Sequence, residues 1–195
     1  MIPDQQEIGR SLAGALRLAR LDAAGMGDFN LTIEGFWRSF FAAAIVAPGY
    51  ALLVAQKLVT WPGYVDPALA VVIEAGAYVL SWVAFPLAAV FLTMLLGLSR
   101  NYVPLIVAAN WAEVLQFAVF LAMSVLTLTL PPGLRGPVVV AVIGAILFYE
   151  WFVARTALAT TGGVAAGIVL VDLLLGIGIN VLADRLIWAL TTPLG

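Results

Sequence analysis

The stretch 103–130, "VPLIVAANWAEVLQFAVFLAMSVLTLTL", is apolar almost throughout and contains a single charged residue, Glu113. A helix needs about 20 predominantly apolar residues to cross the hydrocarbon core of a bilayer. The stretch is therefore predicted to be a transmembrane helix. Its polar exceptions, Asn110, Glu113 and Gln116, fall within about two helical turns in the middle of the run. They are the first candidates for a functional role.

The same apolar character recurs along the chain, separated by short connections rich in Gly and Pro, which mark turns. Strands of a membrane barrel would alternate apolar and polar residues over about 10 positions, and these runs do not alternate. The sequence thus predicts an all-α integral membrane protein with one five-helix transmembrane domain, 36–195. The predicted spans are 36–56, 68–96, 103–130, 138–160 and 164–188.

The overall composition agrees with this class, because 64% of the residues are hydrophobic and only 10% are charged. Soluble domains average about 45–50% apolar and about 25% charged residues. The absence of Cys and His excludes disulfides, thiolate or imidazole metal sites and a Ser–His–Asp triad. Basic residues spread singly along the chain give no nucleic-acid footprint. We therefore expect no enzyme, no cofactor, no metal and no nucleic acid.

The first 35 residues contain no continuous apolar core, so we expect no cleaved signal peptide. Within the segment 1–35, residues 4–25 read as a helix that Asp4 caps, with Glu7 in capping-box spacing. Such an amphipathic helix is predicted to lie at the membrane surface; packing on the bundle or on a partner is the alternative. Its apolar face holds Ile8, Leu12, Ala15, Leu16 and Ala19, and Arg10 and Arg17 project from the other face.

The distribution of Lys and Arg near the span ends predicts the orientation, since cytoplasmic loops carry an excess of these residues. Six basic residues fall on the side of the N-terminus and three on the opposite side. The N-terminus is therefore predicted to be cytoplasmic and the C-terminus outside, in a bacterial inner membrane. The first group is Arg10, Arg17, Arg20, Arg38, Arg100 and Arg155, and the second is Lys57, Arg135 and Arg185.

Ionisable residues inside spans are costly and usually face a bundle interior or a cavity. At about 1.5 Å per helical residue, Glu113 lies roughly 15 Å and Glu150 and Asp172 roughly 12 Å from the cytoplasmic ends of their spans. Glu74 lies much nearer the other face. Three acids on three helices thus share one predicted level. The candidate buried polar cluster is Glu113, Glu150, Asp172, Asn110, Arg155 and Asn180.

This cluster has two interpretations. Neighbouring carboxyl groups in apolar surroundings retain protons readily, and a proton- or cation-coupled transporter uses that behaviour. The structural interpretation is that each acid is protonated, or paired with Arg155, and simply joins helices through hydrogen bonds. A convergence of the three carboxylates on a hydrated cavity favours the transporter, whereas separate pairs in dry interfaces favour the structural interpretation.

The last span carries a candidate helix-packing seam of Gly163, Gly167 and Gly178, with Gly163 and Gly167 in the spacing that allows close helix approach. Asp172 falls on the opposite face of the same helix. A helix with glycines on one face and polar residues on the other is expected to contact protein on both. The span is therefore predicted to be either central in the bundle or part of a dimer interface.

The chain combines a predicted cytoplasmic N-terminal segment with five closely spaced spans and an outward C-terminus, and it contains the phrases "FWRSFFAA" (36–43), "NYVPLIVAANWAEVLQ" (101–116) and "YEWFVARTALATTGG" (149–163). In its layout the chain resembles the Yip family of five-span membrane proteins, and the three phrases resemble bacterial membrane proteins of that general plan. The resemblance implies a role in membrane organisation, trafficking or shaping, and no catalytic residues.

Two functions follow from the sequence. The first is a non-enzymatic accessory subunit or membrane scaffold, whose partners are the lipid bilayer and a homo-oligomer or larger membrane complex. The short loops favour it, because they leave no soluble domain for catalysis. The alternative is a small proton- or cation-coupled transporter or channel that uses the buried carboxylates.

Overall fold

The computed structural model describes residues 2–192, and over this range the chain is almost entirely helical. Extended backbone pairs only once in this range, between Tyr64 and Thr192. Short 3₁₀ helices at Ala23–Asp28 and Ser99–Asn101 join longer elements. The α-helices in chain order are α1 (Gln5–Ala19), α2 (Ile33–Ser39), α3 (Phe41–Val59), α4 (Pro67–Leu95), α5 (Tyr102–Thr129), α6 (Pro132–Leu158) and α7 (Gly162–Ala189).

Five helical segments are long and apolar enough to cross a membrane, which confirms the predicted all-helical class and the number of candidate spans. The segments are Ile33–Val59, Pro67–Leu95, Ser99–Thr129, Pro132–Leu158 and Gly162–Ala189.

The fourth span begins at Pro132, earlier than the predicted residue 138. The prediction took "PPGLRGP" (131–137) as a turn, but Pro132 lies in the first turn of the helix, where its missing N–H needs no partner, and Pro137 lies inside the helix without ending it. The connection between α5 and α6 is therefore reduced to Leu130 and Pro131.

The first span is two helices rather than the single predicted helix 36–56, because α2 ends at Ser39 and α3 begins at Phe41. Thr32 caps α2 by accepting a hydrogen bond from the Gly35 amide at 3.1 Å. At the break, Asn110 of α5 donates its side-chain amide to the Ser39 hydroxyl at 2.9 Å. A hydrogen bond between residues distant in sequence is thus made at the point where the helix is interrupted.

Short connections bring the helix termini to two ends of the bundle. The α1 end holds α1, the start of α2 and the α4–α5 and α6–α7 connections. There Asn101 donates its side-chain amide to the Leu158 carbonyl at 2.7 Å. The Lys57 end holds the α3–α4 and α5–α6 connections and the end of α7, and there Trp61 donates to the Thr191 hydroxyl at 2.9 Å.

The apolar core is concentrated at the α1 end, where Leu105, Ile106 and Leu158 are fully buried. A smaller cluster of Val65, Ala70 and Ile187 packs at the Lys57 end. Between them, residues 132–152 of α6 and 170–182 of α7 include no buried side chain. The bundle is therefore tightly packed at its ends and leaves space in the middle.

The predicted N-terminal helix is present, and the Asp4 carboxylate caps it by accepting from the Glu7 amide at 2.7 Å. Ala15 and Leu18 are fully buried, and the Tyr149 hydroxyl of α6 donates to the Ala15 carbonyl at 2.8 Å. Leu16 is exposed, as is Ala19, so the buried face is rotated relative to the prediction. Packing on the bundle, the alternative left open by the sequence, thus accounts for one face, and a location at the membrane surface stays a prediction.

Ion pairs and hydrogen bonds of charged residues hold together the N-terminal unit, which consists of α1, the 3₁₀ helix Ala23–Asp28 and α2. Glu7 is almost completely buried and accepts hydrogen bonds from Asn30 at 2.9 Å and from Arg38 at 2.7 Å. Arg17 donates to Asp22 at 2.8 Å, and this hydrogen bond lowers the pKa of the Asp22 carboxyl. The ion pair with buried Glu7 explains why Arg38 lies in α2, within the apolar first candidate span.

Candidate functional site: a carboxylate-lined cavity

A cavity of about 520 Å³ lies among α3, α4, α5, α6 and α7. It occupies the space left between the core at the α1 end and the smaller cluster at the Lys57 end. Its walls combine carboxylates, amides, one ammonium group and aromatic rings. A volume of this size is typical of sites that hold a small organic molecule, about 300–1,000 Å³.

The three acids predicted to share one level all line this cavity. Glu113 comes from α5, Glu150 from α6 and Asp172 from α7. Glu113 is exposed to the cavity rather than buried, Glu150 and Asp172 are half-buried, and the three carboxylates are near enough for their charges to interact. Three helices therefore converge on a single acidic centre.

The acidic centre has no basic partner. In residues 2–192, no Lys or Arg nitrogen lies within 4.0 Å of the carboxylates of Glu113, Glu150 or Asp172. The same part of the chain offers no group of three or more acidic side chains in a geometry that holds a metal ion. Within the described residues, the centre is thus not an ion pair between helices.

The two amides that flank Glu113 on α5 have different roles. Asn110 is buried and is engaged with Ser39 at the break between α2 and α3. Gln116 is only 9% exposed and lines the cavity, yet its side chain makes no hydrogen bond with any residue from 2 to 192. Its amide atoms are not among the fully buried unpaired atoms of this range, so Gln116 presents an accessible donor and acceptor to the cavity.

A second polar group occupies the Lys57 end of the cavity. The Lys57 ammonium donates to Glu74 at 2.6 Å and also to Asp184 of α7. Glu74 is 3% exposed and accepts a further hydrogen bond from the Tyr50 hydroxyl at 2.8 Å. Lys57 therefore connects α3, α4 and α7, and its charge is matched by two carboxylates.

Aromatic rings form much of the wall between the two polar groups. Tyr50 and Tyr78 pack with their ring centroids 4.6 Å apart, and Trp82 follows at 6.2 Å from Tyr78. Phe85, Phe117 and Phe120 complete this lining. The acidic centre is thus accessible from a space with aromatic walls.

The other members of the predicted cluster are placed as follows. Arg155 lies outside the cavity, exposed near the end of α6, with its guanidinium over the Trp151 ring at 5.4 Å. Its inclusion in the cluster was wrong, because a position close to a helix end does not determine which face a side chain occupies. Asn180 lines the cavity, but its amide donates to the Gly176 carbonyl of its own helix at 2.9 Å.

The predicted glycine seam contacts nothing within the described chain. A Cβ atom placed on Gly163, Gly167 or Gly178 would meet no atom of residues 2–192 within 4 Å. The seam is therefore not a central packing face of the bundle, and contact with a second copy stays a prediction.

The sequence analysis did not include Lys57, Glu74 or Tyr50 in the site. The spacing of Tyr50 and Lys57, seven residues apart on α3, places them on one helix face. That face, with the stripe of Glu74 and Tyr78 on α4, was the signal available in the sequence. Gln116 was noted as a polar exception but not assigned to the cluster.

Comparisons with protein families, with curated proteins and with solved structures find no match for this chain. The resemblance to the Yip family therefore stays a prediction. The fold and the cavity define the class: a helical protein with five candidate membrane spans around a space lined by acidic and aromatic side chains.

Proposed function

We propose that the protein is a multi-pass membrane protein that works as a small proton- or cation-coupled transporter. The observation that carries this proposal is the convergence of Glu113, Glu150 and Asp172 on one cavity without a basic partner. If the carboxylates served only to stabilise helix packing, each would be expected in an interface without water, bound to a side chain of a neighbouring helix. Of the two functions predicted from the sequence, the geometry favours the transporter.

The physical basis of coupling is competition between protons and a cation for the same carboxylates. Three neighbouring carboxyl groups do not all ionise readily, because each negative charge opposes the next. A cation that enters the centre stabilises the ionised form and displaces protons. Binding and proton release are thus linked at a single site.

Access to the centre follows from the packing. The cavity extends from the acidic centre to Lys57, whereas the apolar core fills the α1 end. With the proposed orientation, cytoplasmic N-terminus and external C-terminus in a bacterial inner membrane, the cavity reaches toward the outside. Transport requires a second state in which the α1 end opens, and the broken first span is the element proposed to move.

The test is proton flux into liposomes that contain the purified protein and a pH-sensitive dye. A gradient of the cation supplies the driving force, sodium in one series and an organic cation in another, because exchange needs a cation as well as protons. Initial rates are compared among the parent, Glu113→Gln and Asp22→Asn. Asp22 is the matched control because its carboxylate is 46% exposed at the α1 end, lies outside the broken first span and does not line the cavity. We expect Glu113→Gln to reduce the flux at least about tenfold and Asp22→Asn to leave it unchanged.

The accessory-subunit or scaffold function predicts a different result. A scaffold has no flux to lose, so the parent and both variants would match empty liposomes, and Glu113→Gln would instead weaken assembly. Native mass spectrometry after gentle extraction distinguishes the two, because an accessory subunit carries the mass of a second polypeptide. Parent flux equal to that of empty liposomes contradicts the transporter proposal.

A further inference from the structure

We infer that the cavity binds an organic cation with an aromatic or otherwise apolar body, rather than a bare metal ion. The inference rests on the proposed function and specifies its substrate class. Four features of the cavity support it: its volume, its charge, its aromatic walls and the unpaired amide of Gln116.

The volume argues against a bare ion as the intended occupant. A site for Ca²⁺ surrounds the ion with six to eight oxygen atoms at about 2.3–2.6 Å. The acids described here do not form such a group, and the cavity of about 520 Å³ is far larger than one ion. An organic molecule fills this space and reaches the acids without requiring them to close around it.

The charge of the lining selects a positively charged ligand. Glu74, Glu113, Glu150 and Asp172 line the cavity, against the single ammonium of Lys57. Lys57 is already engaged by Glu74 and by Asp184, so it offers no free positive charge to an anion. Phosphate and carboxylate ligands, including anionic lipid headgroups, are disfavoured by the three unpaired acids at the centre.

The aromatic walls suit the body of such a ligand. A cation above the face of Trp or Tyr is attracted by the ring quadrupole, most strongly when water is excluded. Trp82 and Tyr78 lie within 6.2 Å of each other by ring centroids and line the same cavity as Asp172. A planar cation can therefore stack on these rings while its charge faces the carboxylates.

Gln116 supplies a separate indication that the cavity receives a polar ligand. The residue is 9% exposed, lines the cavity and makes no hydrogen bond within residues 2–192. Its amide atoms keep accessible surface toward the cavity, since Arg38 Nε is the unpaired buried side-chain atom in this range. The Gln116 carbonyl is therefore available to accept from a ligand N–H group, which favours protonated amines and aryl amines over fully substituted cations.

The experiment is equilibrium binding of ethidium, an aromatic cation with amino groups, to the protein in nanodiscs of uncharged phosphatidylcholine. Fluorescence anisotropy is measured against empty nanodiscs, which removes partition into lipid. The variants are Asp172→Asn, Glu150→Gln and Trp82→Leu, and Trp37→Leu is the control because Trp37 is 56% exposed and does not line the cavity. Two acid variants are used so that a folding defect in one does not decide the result.

We expect saturable binding at one site, with affinity reduced about tenfold or more by either acid variant and about tenfold by Trp82→Leu. Trp37→Leu should bind as the parent does. Parent binding that is not saturable, or that is unchanged in the acid and Trp82 variants, overturns the inference. Displacement of ethidium by sodium or calcium ions at equal concentration overturns it as well.

The two proposals fail in distinguishable ways. Proton flux that depends on Glu113 without ethidium binding would leave the transporter standing and remove the organic-cation substrate. Loss of both signals would remove the proposed function itself.

Discussion

The packing of α3, α4 and α7 at the Lys57 end of the bundle depends on Lys57. Its ammonium binds one carboxylate of α4 and one of α7. Glu74 is nearly completely buried, and Lys57 is its only basic partner within residues 2–192. A buried carboxylate that loses its cation keeps the full desolvation cost of its charge.

We predict that Lys57→Met lowers the thermal stability of the protein in detergent. The expected loss is roughly 2–3 kcal/mol, below the range for a fully buried pair because the Lys57 side chain is 29% exposed. The double variant Lys57→Met with Glu74→Gln should recover much of the loss, since the buried charge is removed and only the half-exposed Asp184 carboxylate is left without its cation. A single variant as stable as the parent would contradict the role of Lys57.

The acidic centre was the more predictable half of the site, since the depths of Glu113, Glu150 and Asp172 follow from counting residues along their helices. Depth does not give the face of a helix. Arg155, close to the end of α6, was therefore wrongly included. The Lys57–Glu74 pair was missed because α3 and α4 are each amphipathic only weakly, so the sequence does not indicate which faces meet.

At the scale of elements, the sequence predicts where the long helices are, but it does not predict where the first of them is interrupted. A bilayer-length apolar run specifies a helix by its composition alone. The break between Ser39 and Phe41 depends on Asn110, which is distant in sequence. The packing of α1 likewise depends on two glycines that face each other, Gly14 of α1 and Gly25 of the following 3₁₀ helix.

We predict that Gly14→Ala destabilises the N-terminal unit, because the new Cβ would lie 2.8 Å from the Gly25 carbonyl oxygen. The matched control is Gly9→Ala on the same helix, where a Cβ meets nothing within 4 Å. Alanine is favoured over glycine in helices by about 1 kcal/mol, so the control should be neutral or slightly stabilising. Hydrogen exchange of the α1 amides measures the difference, and equal exchange in both variants would contradict this packing.

At the scale of the whole molecule, five membrane crossings would place the α1 end and the Lys57 end on opposite sides of the bilayer. The proposed orientation puts the α1 end in the cytoplasm. Because the chain has no cysteine, single cysteines report location without interference.

We predict that a membrane-impermeant maleimide added to intact cells labels Gly133→Cys and does not label Gly27→Cys. Both glycines have open space around the Cβ position, so neither substitution should disturb packing. Labelling of both should follow after the cells are broken, which serves as the control. The reverse pattern in intact cells would invert the orientation, and equal labelling of both would contradict a five-span topology.

The most direct test of the central claim, that Glu113 and Asp172 act as parts of one site, is a double-mutant comparison of proton flux in liposomes. Residues that act as a unit show strongly non-additive effects. We predict that Glu113→Gln and Asp172→Asn each reduce the flux at least about tenfold, and that the double variant loses little more than either single variant. Full flux in a single variant, or losses that multiply independently, would contradict a shared acidic centre.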